Sequence, residues 1–425
     1  MPVCLSDRDK QMLEGTWGEA TRIAMSVVTR MADVEGASEL MDIAQAHIDA
    51  CGLLSDAGLQ FAETLAAKGG RVRVPTTLNM GPLDLQNWRA FGVPEEFAQK
   101  AIRQAAAYES MGCIPTWTCA PYQGYLTPRF GRQIAWGESN AIVYANSVLG
   151  ARTNRYGDFM DICAAITGRV PKCGLHLREN RKGQILFRLA DIEPALLREN
   201  SFYPVLGHLI GPLCQSKIPV IEGLPANATD DQLKMLGAAA ASSGAVALFH
   251  AVGLTPEANT REEALQGDAP ERILDVRRED LMKARRDLGP VEDGRKLDCV
   301  VLGCPHYSFA EFRILAECIA AETHNAIHRD VTFIVASSQQ SYSLLQRRKS
   351  LLDILEDFGV RITLDTCVFH SPIVRAGTKV VMTDSGKCAY YAPGELGVEV
   401  AFGSVADCVR SAAEGTVCRS DVLWK

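Results

Sequence analysis

Three short apolar runs in the last third of the chain, residues 297–302, 331–336 and 361–366, alternate with two stretches of helical periodicity. Runs of about six apolar residues suit buried strands better than helices. The first helical stretch opens on Ser308-Phe309-Ala310-Glu311, a capping-box pattern, and the second closes at Phe358. Strand, helix, strand, helix, strand at this spacing calls for parallel pairing through right-handed crossovers, which places the chain in the α/β class. Ligands of such sheets bind beyond the carboxyl ends of the strands. The residues at those ends are Gly303-Cys304-Pro305-His306, Ser337-Ser338 and Cys367.

Upstream the pattern is mixed. Residues 5–34 read as two helices, with Ser6 placed to cap the first. Ser55-Asp56-Ala57 opens a third, which Gly69-Gly70 stops. Arg71-Val72-Arg73-Val74 alternates like a strand and runs into Pro75-Thr76-Thr77-Leu78-Asn79, which reads as a polar apex rather than a continuation. Pro94-Glu95-Glu96 starts a helix that reaches Met111. Residues 112–132, rich in Pro, Gly, Thr and aromatics, carry no periodicity and predict a long loop, and long ordered loops tend to carry function. A polar-faced helix over 138–149 follows, while the charged stretch 256–288 reads as solvated helical surface. At 425 residues the chain exceeds one small core. We expect three α/β lobes, over residues 1–135, 136–290 and 291–425.

Charge and composition exclude several classes. The net charge is −7 and the 44 basic residues form no block, so nucleic acid and anionic membrane surfaces are not expected partners. Residues 1–10 contain acids and no apolar core, unlike a secretory leader. The nearest thing to an apolar span, 238–252, is broken by Ser242, Ser243, Gly244 and His250, so no membrane crossing and a cytoplasmic setting are expected. Fourteen cysteines in a reducing compartment do not imply disulfides. Cys51, Cys163, Cys214, Cys318, Cys388, Cys408 and Cys418 sit in helical or strand-like patterns and read as small buried apolar residues. No C-x-x-C occurs, which removes zinc ribbons, thioredoxin sites and ferredoxin-type cluster runs. A metal site would have to draw on cysteines distant in sequence.

Cys304 and Cys367 each lie just past a strand, and Cys119 lies in the irregular loop Thr116-Trp117-Thr118-Cys119-Ala120-Pro121-Tyr122. Three loop thiolates suit an iron–sulfur cluster with one iron left open to substrate. Three incidental buried cysteines remain the bland alternative on the residues alone. Cys304 and His306, two apart on a turn, make a poor nucleophile–base pair. His176, in a Gly-broken apolar stretch, reads as a satisfied core histidine. Gly386-Lys387 lacks the rest of a phosphate loop, and no G-x-G-x-x-G occurs.

Longer motifs add a resemblance. Thr383-Asp384-Ser385-Gly386-Lys387-Cys388-Ala389-Tyr390-Tyr391-Ala392-Pro393-Gly394 is similar to the T-N-S-G-K-x-A-H-Y-x-P-G stretch of the aconitase X family, and Val400-Ala401-Phe402-Gly403-Ser404 continues the likeness. Thr118-Cys119-Ala120-Pro121-Tyr122, Ala135-Trp136-Gly137-Glu138-Ser139-Asn140-Ala141 and Asn146-Ser147-Val148-Leu149-Gly150-Ala151-Arg152-Thr153-Asn154-Arg155 resemble further motifs of that family, as do Leu302-Gly303-Cys304-Pro305-His306 and Asp365-Thr366-Cys367. The resemblance implies an aconitase-type three-lobed α/β/α core with parallel sheets and a site at the strand carboxyl ends. It implies an iron–sulfur cluster on Cys119, Cys304 and Cys367, with two-, three- and four-iron forms all open because the C-x-x-C of ordinary aconitases is missing. It also implies a hydro-lyase of the large-subunit type whose base, a serine, sits on a swivelling domain. No segment here looks like that domain, so a small partner subunit is expected to bring it, with Ser337 or Ser385 as the alternative base.

Family members fall into two substrate groups. Ala46-His47-Ile48-Asp49 and Val74-Pro75-Thr76-Thr77-Leu78-Asn79 resemble the group that dehydrates cis-3-hydroxy-L-proline to Δ1-pyrroline-2-carboxylate. The other group dehydrates mevalonate 5-phosphate. A non-catalytic iron–sulfur regulatory protein is a reading of a different class, which the acidic chain disfavours. Candidate substrate contacts are Arg152, Asn154 and Arg155 for the carboxylate, with Thr76, Thr77, Asn79, Ser385 and Lys387 beside them.

Overall fold

The computed structural model describes residues 3–53 and 55–424; Met1 and Pro2, part of the N-terminal stretch compared with a leader, lie outside the described residues. The chain forms two compact units, residues 1–182 and 183–425.

The first unit opens with α1 (Asp7–Glu14) and α2 (Glu19–Val34). Ser6 and Asp9 form a reciprocal capping box on α1, and Gly15 ends the helix in the left-handed region. Apolar residues at helical spacing in α2 (Ala20, Ala24, Val28 and Ala32) are buried in the unit's core. Asp9 is fully buried and pairs with Arg169 at 2.9 Å. The unit continues with β1 (Leu40–Asp42), β2 (Ala46–Ile48), α3 (Asp56–Ala67), β3 (Thr76–Leu78), α4 (Glu95–Ser110), β4 (Ala135–Trp136), α5 (Ser139–Ser147), α6 (Met160–Thr167) and β5 (Arg169–Pro171). β1 and β5 pair antiparallel. β2, β3 and β4 make a parallel sheet in the order β3-β2-β4.

The position of β3 corrects the sequence reading. Arg71-Val72-Arg73-Val74 joins no strand and bends at Arg73 and Val74. Val72 N–H donates to Met111 O and Arg73 N–H to Ala165 O, both at 2.9 Å. The strand is instead Thr76-Thr77-Leu78, matched in register with Ala46-His47-Ile48. Alternation suggests a strand, but the available partner decides which residues join the sheet.

His176 is buried as expected. Its Nε2 lies 2.5 Å from Tyr156 Oη and its Nδ1 2.7 Å from Gln133 Oε1. A neutral ring satisfies both, accepting at Nε2 and donating at Nδ1. Burial, with Arg181 and Arg152 adding to it, pushes its pKa down to about 3.

The second unit consists of β6 (Ile185–Arg188), α7 (Pro194–Arg198), α8 (Phe202–Cys214), β7 (Pro219–Glu222), α9 (Asp230–Ser243), β8 (His250–Ala251), α10 (Arg261–Ala264), β9 (Arg272–Asp275), α11 (Arg278–Leu288), β10 (Cys299–Tyr307), α12 (Phe309–Ala321), β11 (Thr332–Ser337), α13 (Gln339–Gln346), α14 (Lys349–Phe358), β12 (Val360–Leu364), β13 (Val380–Thr383), α15 (Gly386–Leu396), β14 (Glu399–Phe402) and α16 (Val405–Glu414). Two parallel sheets result, β8-β7-β6-β9 and β12-β11-β10-β13-β14. The three strands read from the sequence are β10, β11 and β12, with β10 central and apolar because both of its faces are covered. β9 corrects the reading of 256–288 as helical surface. It is an edge strand, mostly exposed, held to β6 in register and by the Arg188–Asp275 ion pair at 2.6 Å, so no apolar pattern announces it. The helix expected to run to Phe358 is two, α13 and α14. Cys318 and Cys418, read as buried, are half-exposed.

Acid should test the buried histidine. A histidine held neutral in the fold contributes stability that is full above pH 6.5 and is lost as the pH falls towards 3, at up to about 1.4 kcal/mol per pH unit. Urea titrations at pH 7, 6, 5 and 4 should show this slope. In His176→Gln the loss over that range should be smaller.

Candidate functional site

In the second unit the candidate site residues lie where the strands of the five-stranded sheet end. β10 and β11 are in register from Cys299 to Leu302 and rejoin only at Tyr307, so Gly303-Cys304-Pro305-His306 stands out of the ladder. Gly303 has φ +86°, and a Cβ there would lie 2.0 Å from the Ala336 carbonyl oxygen. Only glycine lets β10 turn that close to β11 and present Cys304. Asp365, at φ +60°, turns the chain after β12 before Cys367, and its carboxylate accepts from Gln339 N–H at 2.8 Å. His306 Nε2 and Thr366 O, 2.8 Å apart, tie the Cys304 loop to the Cys367 loop. Both thiols are half-exposed.

Ser385 caps α15 by accepting from Cys388 N–H, and its hydroxyl donates to Cys304 O. Lys387 is half-exposed in the first turn of α15. Ser337 is buried and donates to Tyr307 O at 2.8 Å. Tyr307 Oη donates to Asp384 at 3.1 Å, and burial pushes that carboxyl up to about 6.

In the first unit, Cys119 is buried in a loop that Trp117, at φ 44°, turns sharply. Asn140 of α5 fixes this loop, donating to Cys119 O at 2.8 Å and accepting from Tyr122 Oη at 3.0 Å. Thr116 Oγ1 donates to Leu78 O at 2.7 Å, so the loop crosses the carboxyl end of β3. Thr77 and Asn79 are buried there, and Thr76 is buried at the amino end of β3. Thr77 Oγ1 lies 2.8 Å from His47 Nδ1, and burial pushes the His47 ring down to about 4. Thr76 donates to Val74 O.

The predicted carboxylate anchors sit elsewhere in this unit. Asn154 accepts from Leu175 N–H at 2.7 Å and donates to Cys173 O at 3.4 Å, bracing that turn. Arg152 is half-buried, its backbone paired with Arg132 and Ile134, and Arg155 is exposed. Much of the 146–155 motif is a brace: Asn146 bonds both backbone groups of Thr153, whose hydroxyl accepts from Trp136 N–H. Sequence reasoning missed Asp49 and Glu138, which follow β2 and β4. Both stood inside quoted motifs, but only the sheet shows that they share an end.

Cys304 and Cys367 are half-exposed on tethered loops, as soft metal ligands open to substrate would be, and Cys119 is buried in its own loop. Beside Cys367, the buried hydroxyls of Thr366 and Ser371 have no hydrogen-bond partner among the described residues. Among the described residues no group of three or more His, Cys, Asp or Glu side chains is gathered to hold a metal ion. Cys304 and Cys367 belong to the second unit and Cys119 to the first.

A parallel α/β architecture with thiols at the sheet ends defines an aconitase-type core, and the comparisons narrow the class. The family models described as aconitase X first, second and third domain match residues 2–179, 183–286 and 297–414. The chain belongs to the aconitase X family. It is 45% identical to the cis-3-hydroxy-L-proline dehydratase of Pseudomonas aeruginosa over 96% of this chain and 69% of that protein. A protein of the same name from Hypocrea jecorina is 43% identical over 97% and 69%. The phosphomevalonate dehydratase large subunit of Methanothermobacter thermautotrophicus is 36% identical over 94% and 96%. The crystal structure of Thermococcus kodakaraensis aconitase X in its holo-form superposes with a TM-score of 0.86 at 30% identity, covering 96% of this chain and all of that one. No helix among the described residues is long and apolar enough to cross a membrane.

Gly303→Ala should lower the urea midpoint of unfolding sharply, by about 2 kcal/mol or more of stability. Gly394→Ala, with open space at its Cβ, should change it little.

Proposed function

We propose that this chain is the catalytic core of a hydro-lyase that dehydrates cis-3-hydroxy-L-proline to Δ1-pyrroline-2-carboxylate. The gradient of similarity carries the reading: 45% and 43% identity to proteins of that activity, against 36% to a phosphomevalonate dehydratase large subunit, over nearly the same share of this chain. Loss of the C2 proton and the C3 hydroxyl leaves an enamine, which tautomerises to the cyclic imine. Cys119, Cys304 and Cys367 would hold an iron–sulfur cluster, which supplies a Lewis acid for the departing hydroxyl. Arg152 and Arg155 are proposed to anchor the carboxylate, with Asn154 holding the turn beside them through Leu175 N–H and Cys173 O, and Thr76, Thr77, Asn79, Ser385 and Lys387 are proposed around the substrate. A cytoplasmic, reducing setting goes with fourteen cysteines that are all free.

The proton acceptor is proposed to be a serine of a small swivel-domain subunit. Two observations support this. The Ser337 and Ser385 hydroxyls, the alternatives in this chain, both donate to backbone carbonyls and stand beside no base in those bonds. The Methanothermobacter relative, 36% identical and matched over 96% of its length, is named a large subunit. Closing a separate domain over the site would deliver the base and exclude water.

Two outcomes are expected. After anaerobic reconstitution, Cys119→Ala, Cys304→Ala and Cys367→Ala should each lose iron by metal analysis and lose the thiolate-to-iron absorbance, while Cys408→Ala keeps both. Full iron in Cys367→Ala would remove that residue from the ligand set. The reconstituted chain alone should not form pyrroline product, and adding the small subunit should start turnover. Full turnover by the isolated chain would overturn the partner reading and make Ser337→Ala and Ser385→Ala the variants to assay. Turnover of mevalonate 5-phosphate and not of the hydroxyproline would replace the substrate.

A further inference from the structure

Three segments that are far apart in sequence end on one spot of the first unit. β2, β3 and β4 run parallel, and Asp49, Asn79 and Gly137 are the residues that follow them. Asn79 is fully buried, donates its side-chain amide to Asp49 Oδ1, and donates its backbone N–H to Ile48 O at 2.9 Å. Asp161, also fully buried, accepts from the backbone N–H of Asp49 at 2.6 Å and of Ala50 at 3.2 Å. Gly137 closes the third side: a Cβ there would lie 2.6 Å from Asp49 Cβ and 2.9 Å from Asp161 Oδ2. Asp49 itself is half-exposed, although the groups that clamp it are buried. The loop of Cys119 crosses the same strand ends, with Thr118 N–H on Leu78 O at 3.3 Å.

A turn residue needs none of this. Asp161 holds the backbone N–H of Asp49, Asn79 holds one oxygen of its carboxylate and Gly137 packs against it, at the carboxyl end of the sheet, where parallel sheets take their ligands. The Asn79 amide on one oxygen fixes the direction of the carboxylate. Part-burial strengthens its attraction for a cation relative to water.

We infer that Asp49 is the carboxylate that receives the secondary ammonium of the substrate, and so selects cyclic amino acids over hydroxy acids without an amine. This rests on the proposed dehydration of cis-3-hydroxy-L-proline and names the group that recognises its nitrogen. A phosphorylated hydroxy acid has no ammonium to offer, so the residue would discriminate between the two substrate groups of the family.

The test uses the reconstituted chain with its small subunit. Asp49→Asn keeps an acceptor for Asn79 and removes only the charge. Its KM for cis-3-hydroxy-L-proline should rise about ten- to a hundredfold, the usual scale for a hydrogen bond to a charged group. Binding of proline and of cyclopentanecarboxylate, measured by calorimetry, gives a readout independent of turnover. The wild type should prefer proline, and Asp49→Asn should lose that preference while its affinity for cyclopentanecarboxylate moves less than about twofold. Equal weakening of both ligands, or a preserved preference for proline, would overturn the inference and leave Asp49 a structural residue. If Asp49→Asn does not fold, Asp49→Ser, small enough for the approach of Gly137, is measured the same way. A wild type that dehydrates mevalonate 5-phosphate and not the hydroxyproline overturns the proposed function, and this inference with it. Hydroxyproline turnover with unchanged selectivity in the variant overturns this inference alone.

Discussion

Parallel strands cannot be joined by a tight turn, so each must be followed by a crossover that returns the chain to the same edge of the sheet. The sheets of three, four and five strands in this molecule are all built this way. In each, the carboxyl ends lie along one edge, and the chain leaves the ladder just beyond them, as where Asn79 and Gly137 still bond the neighbouring strand. Polar residues and thiols can collect there without disturbing the apolar strands beneath. Asp49, Asn79 and Gly137 collect at one such edge in the first unit, and Cys304, Ser337 and Cys367 at another in the second.

The backbone does much of the work of presenting those residues. Each of the three loop cysteines follows, within two positions, a residue in the left-handed region: Trp117, Gly303 and Asp365. For a residue with a Cβ that conformation costs on the order of 1 kcal/mol or more. Asp365 offsets part of it with a hydrogen bond to the start of α13, and the Trp117 loop is held by Asn140 and by stacking of Tyr122 on Tyr144 at 3.7 Å between ring centroids. Polar motif residues serve the same end. Asn146, Thr153 and Asn154 spend their side chains on backbone groups, so a motif can be chemically distinctive and still act by holding its neighbours in place.

Buried charge is handled in the same economical manner. Lys234 of α9 is almost wholly buried and pairs with Asp231 at 2.9 Å and with Glu311 of α12. Ionised groups taken from water are tolerated only when fully paired, and here the pairing also joins two helices. Glu311 completes the capping box of its own helix as well, so one carboxylate ends a helix and neutralises a lysine from another.

The strands β10, β11 and β12 and the helix α12 between the first two, the caps of α1 and α12, the long loop before β4 and the satisfied core position of His176 were all legible in the sequence. They depend on local periodicity, on side chains bonding to amides three residues away, or on composition, and those travel with the chain. Three things were not legible. The strand beside Asn79 could not be told from the alternating segment before it, because pairing partners distant in sequence choose the residues that join a sheet. β9 carried no apolar pattern because an edge strand buries too little to need one. The clamp on Asp49 by Asn79, Asp161 and Gly137 draws on segments 112 residues apart at its widest. The sequence by itself determined the helix caps, the apolar strands of the final third and which residue types are available for chemistry; only the tertiary structure decided which segments join a sheet and which residues meet, because parallel pairing brings together strand ends that no local rule connects.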